Sequence, residues 1–188
     1  MSRYTLFIAA SVLGLACSWA EAGKATATVG ISARVDAFAE WRAGETPTSV
    51  TTATGGRSLR IAKTLTLFAN TDVSLTLAPH VNGGVLTADD GETLQTTATL
   101  TGDVEPAPVG SVHRLRHLPG RGAYDVTLDV RATLPAGMVM QSAKCATSVQ
   151  RAGRNAQRID ATFEVNASPQ DSLESTAYRC GFGITVSW

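Results

Sequence analysis

The cysteines are the most reactive side chains in this sequence. Cys145 and Cys180 lie in its second half, and Cys17 lies in an apolar stretch near the N-terminus. In a chain exported to an oxidising compartment, an even pair of cysteines predicts a disulfide between Cys145 and Cys180. That cross-link would close a loop of about 36 residues and stabilise the fold by on the order of 3–4 kcal/mol. The alternative, that both thiols bind a metal, has no support from a CxxC spacing.

A basic stretch is the second candidate site. Its arginines are Arg114, Arg116 and Arg121, and His113 and His117 are interspersed among them. The pattern is typical of a surface that binds an acidic ligand or partner. The alternative is a solvated loop, which is the more common role of a charge run. Two histidines alone do not predict a metal site, because no third ligand lies near them in sequence.

An acidic turn supplies the third group of polar side chains. Asp89, Asp90 and Glu92, together with Asn82, offer oxygen atoms of the kind that bind calcium, but the spacing of a known calcium loop is absent. Asp-Gly is also ordinary turn chemistry, which is the alternative interpretation. Asn166 begins an Asn-Ala-Ser glycosylation acceptor, a short motif of low specificity. The sequence leaves calcium binding and glycosylation open.

The motifs of the common enzyme classes are absent from the sequence. It contains no GxSxG nucleophile elbow, no HExxH zinc motif, no P-loop and no GxGxxG dinucleotide fingerprint. We therefore predict a protein without enzymatic activity, cofactor or metal. Its 16 basic and 16 acidic side chains balance, so no net field attracts nucleic acid.

The N-terminal residues have the pattern of a signal peptide. Arg3 precedes the apolar run 6–16, and Ala20-Glu21-Ala22 is the small-x-small pattern that signal peptidase cleaves. Cleavage near Ala22 would start the mature chain at Gly23, and cleavage after Ala20 is the alternative. Acylation of Cys17 is disfavoured because the leucine that normally lies three residues earlier is missing. We predict a secreted or cell-surface protein, and no later stretch is long enough for a membrane-spanning helix.

The mature chain, 23–188, alternates apolar and polar residues over several stretches, which predicts strands with one buried face. One clear strand covers Tyr124 to Leu134. Two runs, Leu59–Leu67 and Val73–Leu77, flank Asn70-Thr71-Asp72 and are typical of a hairpin. An apparent slip in the pattern at Ala62-Lys63-Thr64 suggests a β-bulge.

Eight to ten such strands with turns between them predict one all-β domain, an immunoglobulin-like or jelly-roll-like β-sandwich with one disulfide. The single helical signal after the leader is a turn at Ser168-Pro169. The first strand of the mature chain is the segment 24–36. Its apolar positions occur at every second residue, as expected for a half-buried strand: Ala25, Ala27, Val29, Ile31, Ala33 and Val35.

Two segments of the chain resemble a known family. Thr26 to Phe38 (TATVGISARVDAF) is similar to the N-terminus of fimbrial subunits that assemble by donor-strand exchange. Gly122 to Val130 resembles the G-x-Y-x-V-x-L-x-V strand of those subunits and of spore-coat-U-like secreted domains. In many such subunits this strand lies near the C-terminus, whereas here both cysteines follow it.

The resemblance implies a structural subunit of an extracellular fimbria-like filament, polymerising head to tail by donation of the segment 24–36 to another copy. It also implies a periplasmic chaperone and an outer-membrane assembly protein as partners. An incoming strand would satisfy an open sheet edge and fill pockets with alternate side chains. The alternatives are that 24–36 is a strand of its own domain, or that the chain is a soluble ligand-binding module such as an adhesin or a carbohydrate-binding domain.

Overall fold

The computed structural model describes residues 35–42, 48–52, 57–107, 110–116 and 122–188. These residues belong to one compact unit, Val35–Trp188. They form twelve strands and one 3-10 turn, so the prediction of an all-β fold is confirmed. The strands are β1 (Ala39–Arg42), β2 (Thr48–Thr52), β3 (Ser58–Ala69), β4 (Ser74–Pro79), β5 (Leu86–Ala88), β6 (Thr93–Leu94), β7 (Thr96–Gly102), β8 (Val112–Arg114), β9 (Ala123–Thr133), β10 (Met138–Gly153), β11 (Ala156–Pro169) and β12 (Thr176–Ser187), and the 3-10 turn is Val81–Gly84.

The strands form two antiparallel sheets that share one hydrophobic core. In the first sheet, β1 and β2 pair with the same side of β3, and β9 and β7 follow on its other side. In the second sheet the order is β10-β11-β12-β4-β8, and β5 and β6 extend it from β12. This arrangement is a β-sandwich, in which alternate residues of each strand enter the core.

Strand β3 shows why the alternation in the sequence produces this core. Leu59, Ile61, Leu65 and Leu67 all point inward and are almost fully buried. The remaining inward position of this series is Lys63, which is only 6% exposed. The register between β3 and β9 runs without a break from Ser58 to Phe68, so the predicted bulge is wrong. A buried lysine, and not an extra residue, interrupts the apolar pattern.

The turn after β3 connects the two sheets. β3 belongs to the first sheet and β4 to the second, where β4 pairs with β12 and β8. The hairpin predicted around Asn70-Thr71-Asp72 is therefore wrong, although both strands exist. The helical turn predicted at Ser168-Pro169 is also wrong, because β11 continues to Pro169 and an irregular loop follows.

Candidate interaction surfaces

Strand β10 forms an open edge of the second sheet. Its only partner among the described residues is β11, so its outer row of backbone N–H and C=O groups meets no other described strand. The strand has 16 residues, and register shifts occur near both of its ends. Between these shifts the stretch Ser142–Arg151 is regular. A long regular edge of this kind is a template for pairing with another strand.

The inner face of β10 is only partly covered by the rest of the domain. The inward side chains of its neighbour β11, such as Phe163 and Val165, are fully buried. Strand β7 is an edge strand of the first sheet, and its inward side chains, Ala98 and Leu100, are also buried. The inner face of β10 differs, because its side chains are all partly exposed: Met138, Met140, Ala143, Cys145, Thr147 and Val149.

The two cysteines lie on the inner face of the second sheet, but not next to each other. Cys145 on β10 is opposite Phe163 on β11, and Phe163 is in turn opposite Cys180 on β12. The two thiols are thus separated by a whole strand, or about 10 Å between their Cα atoms. A disulfide requires Cα atoms no more than about 7 Å apart. Both cysteines are free, and the predicted disulfide is not present in this structure.

Burial makes both thiols hard to ionise. Desolvation raises the pKa of the Cys145 thiol to about 11, and the nearby Lys63 ammonium opposes this rise to a smaller extent. Desolvation likewise raises the pKa of the fully buried Cys180 thiol to about 12. Since the thiolate is the nucleophile and the metal ligand, neither side chain is activated for covalent chemistry.

The N-terminal end of the described chain is fixed at one end of the sandwich. The Phe38 backbone N–H donates to Asn70 Oδ1 (2.7 Å), and Asn70 Nδ2 donates to the Asp36 carbonyl (2.9 Å). The Trp188 indole N–H donates to the Ala37 carbonyl (3.2 Å). We call this end of the sandwich, where the described chain begins, the exit end.

Of the six predicted donor side chains, Val35 is described and is 74% exposed at the exit end. Val35 is not part of any of the twelve described strands. The other five predicted donor side chains lie outside the described residues: Ala25, Ala27, Val29, Ile31 and Ala33.

The structure divides the predicted basic site. Arg114 is exposed on β8, Arg116 follows that strand, and Arg121 and His117 lie outside the described residues. His113 points inward beside Leu75 and is 1% exposed, with Nδ1 3.4 Å from the Glu105 carbonyl oxygen. The alternation of β8 therefore removes His113 from the surface and leaves Arg114 on it.

Arg114 lines a surface groove of about 710 Å³ at the exit end. The groove mixes apolar side chains with the opposite charges of Asp72 and Arg114. Its residues come from four separate parts of the chain, so no local sequence pattern indicates it. They are Thr71, Asp72, Val73, Ser74, Val112, Arg114, Leu115, Tyr124, Ser187 and Trp188.

The acidic turn uses its carboxylates for internal contacts. Asp90 Oδ1 accepts the Glu92 backbone N–H (3.0 Å), and Glu92 Oε2 accepts the hydroxyl of buried Tyr178 (2.6 Å). This burial and hydrogen bond raise the pKa of Tyr178. Asp89 pairs with Arg179 (3.2 Å). The three carboxylates thus have three different partners, in keeping with a structural turn.

Asn166, the predicted glycosylation acceptor, lies on β11 between two paired strands. Its Nδ2 donates to Ser142 Oγ (3.0 Å) on the outer face of the sheet. Beside it, Glu164 pairs with Lys144 on one neighbouring strand (2.8 Å) and with Arg179 on the other (3.0 Å). These two hydrogen-bonded cations lower the pKa of the Glu164 carboxyl to about 2.

Among the described residues, no three His, Cys, Asp or Glu side chains lie close enough together to hold a metal ion. No helix in this part of the chain is long and apolar enough to cross a membrane. In comparisons with known proteins, no protein-family model, no curated protein and no solved structure matches the chain.

Proposed function

We propose that this protein is a non-enzymatic structural subunit of an extracellular fimbria-like filament, and that copies join head to tail when the segment 24–36 of one adds to the sandwich of another. The observation that carries the proposal is the open edge of β10, whose inward side chains are all partly exposed. A strand added there would meet backbone groups that no described strand pairs and apolar side chains that are only partly covered. β-augmentation needs these two features together.

The donor segment fits this edge in length and pattern. It offers twelve alternating residues, Lys24–Val35, against the regular ten-residue stretch Ser142–Arg151 of β10. The inward side chains of that stretch are small or of medium size: Ala143, Cys145, Thr147 and Val149. Ala, Val and Ile side chains on a donated strand would cover them without overpacking.

The edge of β10 also supports the remaining parts of the proposal. A long open edge is an aggregation hazard until it is paired. A subunit exported through the leader 1–22 would therefore need a periplasmic chaperone to cover the edge and an outer-membrane assembly protein to release it into the filament. Secretion to the cell surface is part of the same proposal, and cell adhesion is the role that we propose for the filament.

The experiment compares two neighbouring substitutions in the full exported chain. Ile31→Asp puts a carboxylate on the apolar face of the donor segment, and Ser32→Asp puts the same group on its other face. Burying an Ile side chain is worth about 1.5–3 kcal/mol, and an unpaired buried carboxylate adds a further cost. Ile31→Asp should thus weaken subunit addition by roughly a hundredfold or more, while Ser32→Asp leaves it almost unchanged.

Filament length is read by negative-stain microscopy, and polymer mass by size-exclusion chromatography. A synthetic peptide of residues 24–36 should cap growing ends, and a peptide of the same composition without the alternation should not. Equal polymers from Ile31→Asp and Ser32→Asp would show that the apolar face of this segment is not the joint. A wild-type chain that stays monomeric under all assembly conditions would refute the proposal.

A second candidate function, a soluble ligand-binding module, is favoured by the exit-end groove. Its volume of about 710 Å³ lies within the range of small-molecule sites. It places the aromatic residues Tyr124 and Trp188 near the charged pair Asp72 and Arg114. A monomeric wild-type chain whose melting temperature rises with a particular sugar or acidic ligand, and no longer does so after Arg114→Ala, would favour this function.

A further inference from the structure

Exposed large apolar side chains concentrate at the two ends of the described sandwich. At the exit end, Val35, Phe38 and Val112 are exposed. The opposite end, where β11 passes into β12, carries Leu173 and Val139. We call it the far end. Leu173 is completely exposed, at 105% of its reference area.

Leu173 projects from an acidic loop, 170–175. Asp171 and Glu174 flank it, and the loop contains no basic residue. The loop has a defined shape, because the Gln170 N–H donates to the Gly137 carbonyl (2.9 Å) and the Glu174 N–H donates to Ser172 Oγ (3.0 Å). The far end therefore presents an apolar side chain between two carboxylates.

The exit-end groove has the complementary features. Its apolar lining includes Val112, Leu115 and Trp188, and Arg114 provides the positive charge that the acidic loop lacks. Asp72 also lines this groove and would repel the carboxylates of a bound loop. We therefore expect these carboxylates to lie next to Arg114.

The loop and the groove cannot meet within one molecule. They lie at opposite ends of the twelve-residue strand β12, which is about 40 Å long. When one surface patch fits a different patch elsewhere on the same molecule, copies join head to tail, in a ring if the rotation between them closes and in an open chain if it does not.

We propose that the Leu173 loop of one copy docks into the exit-end groove of the next, as an end-to-end contact between neighbouring subunits. This inference rests on the proposed filament function and names a second contact in the same joint. The two contacts are compatible in space. Val35, the last of the donor side chains, lies at the exit end of its own sandwich, and β10 of the neighbour begins at the far end that this contact brings alongside.

The test uses the full exported chain and measures the rate of filament elongation. Leu173→Asp should slow elongation by roughly tenfold or more, since it removes a buried apolar contact and adds a third carboxylate. Val85→Asp is the matched control, because Val85 is exposed but lies at neither end. Arg114→Glu and Glu174→Arg should each slow elongation, and the double variant should recover most of the wild-type rate.

A cross-link tests the contact directly. In a Cys145→Ser background, Leu173→Cys combined with Val112→Cys should give a ladder of disulfide-linked oligomers on mild oxidation, and either change alone should stop at dimers. If filaments grow normally with Leu173→Asp and no ladder forms, this end contact is wrong and strand donation stands. A ladder from a chain that forms no filaments would support the contact and refute donation. A chain with neither filaments nor ladder refutes both.

Discussion

The two free thiols are predicted to react slowly with alkylating reagents in the native protein, and their raised pKa values set the expected rates. At pH 8 a thiol with a pKa of 9.0 is about one-tenth thiolate. Burial raises the pKa of Cys145 to about 11 and that of Cys180 to about 12. The thiolate fraction then falls to about one in a thousand for Cys145 and one in ten thousand for Cys180. Native-state alkylation should be roughly a hundredfold and a thousandfold slower than for an ordinary thiol.

The assay is a time course of iodoacetamide labelling in the native protein at pH 8, followed by peptide mass spectrometry. Cys145 should react before Cys180, and both should react at once in 6 M guanidinium. Lys63→Met should slow Cys145 further, since it removes the ammonium group that lowers the pKa of that thiol. Cys180 should respond less, because its pKa is raised by desolvation and by Cys145, and Lys63 does not contribute to it.

The free energy of unfolding of cysteine variants also distinguishes free thiols from a disulfide. Loss of a native disulfide costs about 2–5 kcal/mol whichever cysteine is replaced. With free thiols, Cys145→Ser at the partly exposed edge should cost less than about 1 kcal/mol, while Cys180→Ser should cost about 1–3 kcal/mol for a buried hydroxyl. A Cys145–Cys180 linked peptide in a non-reducing digest, or equal losses from both substitutions, would refute the reasoning.

Two further predictions concern stability. Gly102→Ala should destabilise the domain by about 2 kcal/mol or more beyond Gly91→Ala, as measured by urea denaturation. Both glycines have a positive φ, but only at Gly102 would the new Cβ overlap another atom, the Asp125 carbonyl oxygen. The pKa of Glu164 is lowered from 4.5 to about 2, so the stability it contributes is present above pH 4.5 and disappears as the pH falls towards 2. Glu164→Gln should therefore flatten the acid limb of the stability profile, and the loop substitution Glu174→Gln should not; an unchanged slope would contradict this.

The sequence predicted strands well where alternation is regular. The pattern from Tyr124 to Leu134 coincides with β9, and the runs around Leu59 and Leu75 coincide with β3 and β4. The alternation of apolar and polar residues indicates which face of a strand is buried, and it can be read from the local sequence alone. It does not report which strand is the partner. For that reason the two alternating runs favour a hairpin, although β3 and β4 lie in different sheets.

The candidate surfaces were harder to predict, because they depend on contacts between distant residues. The exit-end groove joins Asp72, Arg114 and Trp188, and nothing in the local sequence around any of them indicates the others. The disulfide rested on an even count of cysteines, and the count does not reveal that β11 separates them. The pattern at Lys63 predicts a bulge because an inward lysine breaks the apolar alternation in the same way as a slipped register.

The direction of the strands has a mechanical consequence. Strands β10, β11 and β12 all run between the exit end and the far end, and their ladder hydrogen bonds lie across that line. Tension applied between the two ends would therefore load these ladders in shear, so that many hydrogen bonds must break together and not one after another. A sandwich pulled along this axis should resist extension much more strongly than one pulled at right angles to it.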